Sequence, residues 1–316
     1  MFNKIIKHLK QGTLLKTLLK RFVGVVLLRI LSQHHLYNAL MYKLQFGFSK
    51  SIKNPETFSQ KIYYLRDQYK GNALATMVSD KIAVREYVTA SIGGEVLNNL
   101  LFITDDPSNI DYDTLPDRFV IKTNQACGTN IIVKDKSSID KHETYQKLTK
   151  WLKMNYADSY GEMQYYNIKP QILIEEYLED EGDEFLIDYK FWCFNGNCKF
   201  LVVHDRFSIA DEILHNKLSF DLNFKPITVF KNQTENNNKF KIPISLNLMT
   251  DYASILSREF AFVRVDFYEV NGEPVFGEMT LTPTGGNNHY LSDDAQLQLG
   301  KEVDIKLMNS VGISYE

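Results

Sequence analysis

Two acids, Asp266 and Glu278, each interrupt an apolar strand pattern: Phe262-Val263-Arg264-Val265-Asp266-Phe267 and Val275-Phe276-Gly277-Glu278-Met279. The two segments face one another across Asn271-Gly272, a dipeptide that favours a two-residue hairpin turn. Strict two-residue register pairs Asp266 with Gly277, so bringing both carboxylates to one face requires a bulge or a longer turn. Facing carboxylates repel unless a cation or a shared proton lies between them. Mg²⁺ takes one or two carboxylates plus substrate phosphates, which is what such a pair offers. The competing reading is an ion pair with Arg264, two residues from Asp266 on the same strand face.

Cations for phosphate stand elsewhere. Lys122 ends the strand Phe119–Lys122, the loop 124–129 follows, and Lys134 ends the next strand. Lys81 lies in Asp80-Lys81-Ile82-Ala83-Val84-Arg85, read as helical. Lysines at strand ends around a loop hold phosphate oxygens by charge-assisted bonds, with loop N–H groups adding to them. The glycine-rich phosphate motifs G-x-x-x-x-G-K-[ST] and G-x-G-x-x-G are absent, as are G-x-S-x-G and H-E-x-x-H. Asp111-Tyr112-Asp113 has the Asp-x-Asp arrangement with which sugar-nucleotide transferases hold a metal, so a glycosyltransferase stands as the alternative. Residues 175–188 carry eight carboxylates in fourteen positions, most of which read as a solvated connection.

The elements that must position these groups are a mixture of strands and helices. Strands are expected at 117–123, 130–134 and 171–178, and hairpins at 188–204 and 261–281 around Asn195-Gly196 and Asn271-Gly272. Helices are expected at 55–67, 76–89, 138–156 and 249–260. The class is α+β with largely antiparallel sheets.

The first fifty residues hold nine Lys/Arg and no acid, while the rest carry 27 basic against 39 acidic side chains. An acidic body of that kind excludes general nucleic-acid binding. The N-terminal stretch reads as two or three basic amphipathic helices, too short in their apolar runs to span a bilayer and without a signal-peptide cleavage site. Docking on an anionic membrane surface and packing as a cap are the two readings of it. Three cysteines form no C-x-x-C pair, which points to a reducing cytoplasm, with a peripheral place at the inner face of the membrane if residues 1–50 dock there. At 316 residues, 44% hydrophobic, the chain divides into a basic segment 1–53 and a body 54–316.

Eight blocks then come in one order: Asp-Lys-x-x-Val-Arg-x-Tyr-Val (80–88), Leu-Pro-Asp-x-Phe-Val-Ile-Lys (115–122), Ile-Ile-Val-Lys-Asp (131–135), Asn-Ile-Lys-Pro (167–170), Glu-Glu-Tyr-Leu (175–178), Asp-Tyr-Lys-Phe-x-Cys-Phe-Asn-Gly (188–196), Phe-Val-Arg-Val-Asp-Phe-Tyr-Glu-Val-Asn-Gly (262–272) and Gly-Glu-Met-Thr-Leu-Thr-Pro (277–283). The succession resembles the TupA-like, teichuronopeptide-biosynthesis type of ATP-grasp enzyme found among cell-wall and capsular polysaccharide genes. The resemblance implies an ATP-grasp fold, two α+β subdomains clasping ATP, with a lid subdomain at roughly 115–178. It implies that Lys81 and Lys122 hold the α/β-phosphates under a lid loop that includes Asn124, Gly128 and Thr129. Glu175, Glu176, Tyr177 and Leu178 would meet adenine, and Lys190 would face the γ-phosphate or acceptor. Arg264 would steady the transferring group, with Asp266, Glu278 and Thr280 on Mg²⁺. In two places the chain departs from the pattern: its loop, Asn-Gln-Ala-Cys-Gly-Thr, is poor in glycine, and Thr280 stands where an Asn ligand is usual.

The function implied is a carboxylate–amine ligase. ATP activates a carboxylate as an acyl phosphate and an amine or amino acid takes the acyl group, on a polysaccharide or lipid-linked saccharide. A degenerate ATP-grasp scaffold is the non-enzymatic alternative.

Overall fold

The structure, a computed structural model, describes Val26 and residues 34–47, 53–179, 186–209, 212–231 and 240–307. Apart from Val26, the helices expected in the first thirty residues fall outside this range, as does most of the acid-rich run after Glu179.

The end of the basic segment forms helix α1 (His34–Phe46), and α2 (Phe58–Gln68) begins at a capping box between Thr57 and Gln60. Met41 and Tyr42 of α1 pack on Tyr63 of α2, and Asn38 accepts two bonds from the buried Arg66 guanidinium at 3.1 and 2.6 Å. This helix is packed on the body.

The single helix expected at 76–89 is two, α3 (Ala73–Ser79) and α4 (Val84–Ile92). Asp80 separates them in extended conformation, its Oδ1 accepting the amides of Ile82 (2.8 Å) and Ala83 (3.3 Å). Short acidic side chains compete in this way with the helical ladder. Lys81 therefore lies in a turn, not on a helix.

Strand β1 (Leu100–Thr104), which the sequence reading missed, precedes β2 (Phe119–Thr123) and β3 (Asn130–Val133). The helix expected at 138–156 is the shorter α5 (Lys141–Leu152), capped by Asp140, and a further helix α6 (Tyr156–Tyr160), capped by Asn155, begins at the last residue of the expected range. With β4 (Ile172–Glu176) the strands form an antiparallel sheet in the order β1-β4-β2-β3. Alternation along β2 buries Phe119 and Ile121 with Val133, Ile172, Ile174 and Leu148 of α5 in a core of their own. The four-stranded sheet thus takes in β1, which lies before residue 115.

The larger sheet contains β5 (Asp188–Phe194), β6 (Asn197–Ile209), β7 (Glu212–Phe220), β8 (Pro226–Ile227), β9 (Phe262–Val270) and β10 (Glu273–Thr280). Its order is β10-β9-β5-β6-β7-β8, antiparallel throughout. Helix α7 (Leu246–Leu256) supplies Met249, Ala253 and Leu256 to its core, and α8 (Asp293–Glu302) closes the described chain near α2. Asn195 (φ 50°) and Asn271 (φ 53°), each followed by a left-handed glycine, form the two hairpin turns read from the sequence.

Register explains how one face serves two purposes. Phe194 pairs with Phe262, Trp192 with Arg264, and Lys190 with Asp266. At one end the aromatic side chains pack under Phe58, whose ring lies 4.8 Å from Phe262 and 5.3 Å from Trp192. At the other end the same face carries the charges. The expected bulge falls between Phe276 and Glu278, so that Glu278 pairs with Asp266. Gly277 is the extra residue, and a Cβ there would lie 3.0 Å from the Asp266 carbonyl oxygen. Gly277→Ala is expected to cost about 1–3 kcal/mol of stability through overpacking, read by urea denaturation; an unchanged midpoint would show that the bulge relaxes freely.

Candidate active site

A cavity of about 370 Å³ is lined from both sheets and from the α3–α4 turn. Lys81, Lys122, Gly128, Thr129, Glu175, Leu178, Lys190, Asp266 and Glu278 all face it. Nine of the fifteen expected site residues therefore meet in one cleft.

At its polar end Arg264 and the two acids form a closed cluster. Arg264 Nε donates to Asp266 Oδ1 at 2.7 Å, while Nη2 reaches Asp266 Oδ2 at 2.6 Å, Glu278 Oε1 at 2.8 Å and Thr280 Oγ1 at 3.0 Å. Lys190 Nζ adds a bond to Asp266 Oδ2 at 2.7 Å. The Arg264 ion pair and the facing carboxylates are thus both present. Oxygens from three side chains converge on one point, held here by a guanidinium nitrogen, and they are the hard donors that suit Mg²⁺. Among the described residues no group of three or more His, Cys, Asp or Glu side chains could hold a metal ion. A cation on this pair would rely on phosphate oxygens to complete its shell. Asp266 is buried, whereas the Glu278 side chain is 43% exposed and open to the cleft.

Burial works to raise the Glu278 carboxyl, but Arg264, then Lys190 and Lys81, hold it below the usual carboxylate range. Burial also opposes the Arg264 charge, and Asp266 outweighs it, so the guanidinium stays protonated. For Lys190 burial is the largest single influence and lowers the pKa, but Asp266, with Asp188 and Glu278, brings the net shift upward.

At the opposite end Lys122 Nζ lies 2.6 Å from Glu175 Oε2, and Arg85 Nη1 lies 3.3 Å from Glu175 Oε1. Glu175 is thereby a charged anchor for two cations. Lys81 Nζ donates to the Ala126 carbonyl at 2.5 Å, which ties the α3–α4 turn to the loop 124–129. Gly128 is left-handed (φ +70°), and a Cβ on it would meet nothing within 4 Å. The loop backbone is therefore open to an approaching ligand at one glycine.

The other expected residues sit differently. Lys134 follows β3 at the end where Val133 pairs with Phe119, whereas the loop lies at the Lys122–Asn130 end. The hairpin places Lys134 away from the loop 124–129, and the residue is exposed. Asn124 is buried and fully engaged: its amide donates to Asp80 and to the Lys169 carbonyl, both at 3.0 Å, and its Oδ1 accepts from Gln171 N at 2.7 Å. It anchors the loop and does not face the cleft. Glu176 is exposed, and Tyr177 lies under the Arg118 guanidinium, 5.8 Å away. Asp111 caps a short turn by accepting the Asp113 amide at 3.0 Å, and the Asp113 carboxylate is 3.6 Å from Lys141. That Asp-x-Asp is local turn chemistry.

Sequence reasoning missed Arg85, Asp188 and Tyr165, all of which line the cleft. Asp188 Oδ2 lies 3.4 Å from Lys190 Nζ and 3.6 Å from His204 Nδ1. The signal for Asp188 was its position two residues before Lys190 on one strand face, hidden by the acidic run before it.

Burial, with Lys122 next, lowers the Lys81 ammonium from its ordinary 10.5. Phosphate oxygens beside Lys81 would raise it again, so nucleotide binding is expected to take up protons on the alkaline side of neutrality. Calorimetry of an ATP analogue in buffers of different ionisation enthalpy, at pH values above neutrality, measures this uptake. It should vanish in Lys81→Met; the same uptake in that variant would place the titrating group elsewhere.

The TupA-like ATP-grasp family profile matches residues 60–304. No curated protein matches the sequence. Among solved structures the chain is similar to the ATP complex of D-alanine–D-alanine ligase from Bacillus anthracis, at 14% identity over 74% of this chain and 68% of that one, with a TM-score of 0.44. It is similar to the D-cycloserine synthetase DcsG at 14% identity, 74% and 72% coverage and a TM-score of 0.42. For the ATP-grasp ligase PsnB with its minimal precursor, Mg and ADP, the values are 8%, 79% and 66%, and 0.40. The chain spans 66% of another chain of the Bacillus anthracis ligase. By the extent of the family match the chain belongs to the TupA-like ATP-grasp family.

Proposed function

We propose that the protein is an ATP-dependent carboxylate–amine ligase that forms an amide through an acyl phosphate. The observation that carries this reading is the cleft itself. Lysines and an open loop glycine line it together with Lys190 and two carboxylates, and Arg264 is bonded to both of those carboxylates.

Lys81 and Lys122 would bind the α/β-phosphates by charge-assisted bonds, with the loop backbone at Gly128 adding donors. Glu175 holds Lys122 in place. Leu178, Phe276 and Met279 give the cleft its apolar wall, against which an adenine ring would lie. Asp266, Glu278 and the Thr280 hydroxyl would hold Mg²⁺, whose chemistry is to offset charge on the β/γ oxygens. Arg264 and Lys190 would neutralise the oxygens of the transferring phosphoryl and of the acyl phosphate. The protein's part is positioning and charge neutralisation, since ATP supplies the activation.

Family membership and the basic N-terminal segment support a polysaccharide or lipid-linked saccharide as the acceptor, for example a uronic acid joined to an amino acid. The same observations support a cytoplasmic protein with the basic segment at the inner membrane face up to α1, which packs on the body. No helix among the described residues is long and apolar enough to cross a membrane.

A panel of uronic acids and amino acids, assayed for ADP release with and without an amine, tests the reading. Carboxylate-dependent ADP formation is expected. ATP binding without any ADP formation would favour the scaffold alternative, and turnover of a sugar nucleotide without ATP would favour a transferase.

A further inference from the structure

The metal-binding acids are already neutralised from within. Both oxygens of Asp266 are taken: Oδ1 accepts from Arg264 Nε at 2.7 Å, and Oδ2 accepts from Arg264 Nη2 at 2.6 Å and from Lys190 Nζ at 2.7 Å. The same Nη2 lies 2.8 Å from Glu278 Oε1 and 3.0 Å from Thr280 Oγ1. Two acids and two cations therefore form one cluster, and a guanidinium nitrogen sits at the point where the three side chains converge.

We propose that Arg264 is the resident counter-cation of the Asp266–Glu278 pair, and that the pair accepts Mg²⁺ only together with nucleotide phosphates. The proposal rests on the ligase reading for the identity of the nucleotide. Its argument is electrostatic. A doubly charged ion arriving alone must either displace Arg264 from two carboxylates or share the site with it, and like charges at contact distance repel strongly in a confined cleft. It would also find only two carboxylates and a hydroxyl, whereas Mg²⁺ prefers phosphate oxygens alongside protein carboxylates. A triphosphate removes both obstacles. Its oxygens offer Arg264 and Lys190, both long side chains, new anionic partners, which frees the carboxylate oxygens. They also complete the metal shell. Metal and nucleotide then bind with positive coupling, and each raises the affinity of the other by the same factor. The arrangement also keeps Asp266, with its side chain 3% exposed, from standing as an unpaired buried charge before substrates arrive.

Calorimetric titration of the full chain tests this with MgCl₂ alone, with AMP-PNP alone, and with AMP-PNP in excess MgCl₂. For the wild type, MgCl₂ alone should give no saturable heat at millimolar concentration, and AMP-PNP should bind about tenfold or more tighter with the metal than without it. In Arg264→Gln, MgCl₂ alone should bind saturably and raise the melting temperature, and the coupling should fall by about tenfold. Lys190→Gln, which unburdens Asp266 Oδ2 alone, serves as the second variant and should move in the same direction, so a misfolded Arg264→Gln does not end the test. Wild type binding MgCl₂ alone as tightly as these variants, or an unchanged coupling in them, would overturn the proposal. Failure of AMP-PNP to bind the wild type would instead count against the ligase reading. In that case the MgCl₂ comparison between wild type and variants still decides the part played by Arg264.

Discussion

Glu278→Gln is expected to lower ATP turnover by about a hundredfold or more, ~2.7 kcal/mol in the barrier, while the protein stays folded. The two halves of that expectation have separate causes. Glu278 is open to the cleft, with its side chain 43% exposed, so the amide replaces it without a large desolvation change. Its loss removes one of the two anionic ligands proposed for the metal, and Arg264 still has Asp266 as a partner. Asp266→Asn should differ. Asp266 neutralises both Arg264 and Lys190, whose side chains are 16% and 17% exposed. Without it two largely buried cations lose their shared acid, and stability should fall by about 3 kcal/mol or more as well as activity. Turnover and urea denaturation measured on both variants separate these effects. Near-normal turnover in folded Glu278→Gln would discard the metal assignment. The double variant should lose little more turnover than either single one, because residues acting as a unit are not additive.

Lys122→Ala is expected to weaken binding of an ATP analogue by about 1.5–3 kcal/mol, the usual worth of a charge-assisted contact. The 2.6 Å contact with Glu175 refines this expectation. Glu175 accepts both Lys122 and Arg85, so it sets where the Lys122 ammonium points. Glu175→Gln should therefore reduce nucleotide affinity without touching the phosphates itself. A double-mutant cycle should show a coupling of about 0.5–3 kcal/mol between the two positions. Equal affinity of wild type and Lys122→Ala would leave Lys122 as a structural partner of Glu175 only.

The charged hairpin was legible because its determinants are local. Asn271-Gly272 sets the turn, and counting outward from it shows that a bulge or a longer turn must intervene before Asp266 and Glu278 can face one another. The bulge at Gly277 satisfies that count. What was not legible depends on partners distant in sequence or on side chains that cap their own backbone. Asp80 ends α3 through bonds to residues two and three ahead, so an apolar spacing that suited one helix belongs to two. Lys134 was placed near the loop by its position at a strand end. Antiparallel pairing of β2 with β3 puts that end at the far side of the hairpin. Asn124 has the polar side chain of a ligand contact, yet its bonds to Asp80, Lys169 and Gln171, up to 47 residues away, consume it. Strand β1 is five residues long and pairs only with β4, about seventy residues later, a non-local contact that sequence periodicity does not reveal.

The central claim is that a carboxylate oxygen is transferred to phosphate. Reaction of a carboxylate labelled with ¹⁸O on both oxygens, in the presence of ATP and the amine acceptor, tests it most directly, with inorganic phosphate analysed by mass spectrometry. An acyl phosphate broken by amine attack on carbon leaves one labelled oxygen in every phosphate released, and the account predicts that result. Phosphate without label from the carboxylate, but carrying an oxygen from labelled water, would contradict it and show that the protein hydrolyses ATP without activating an acid.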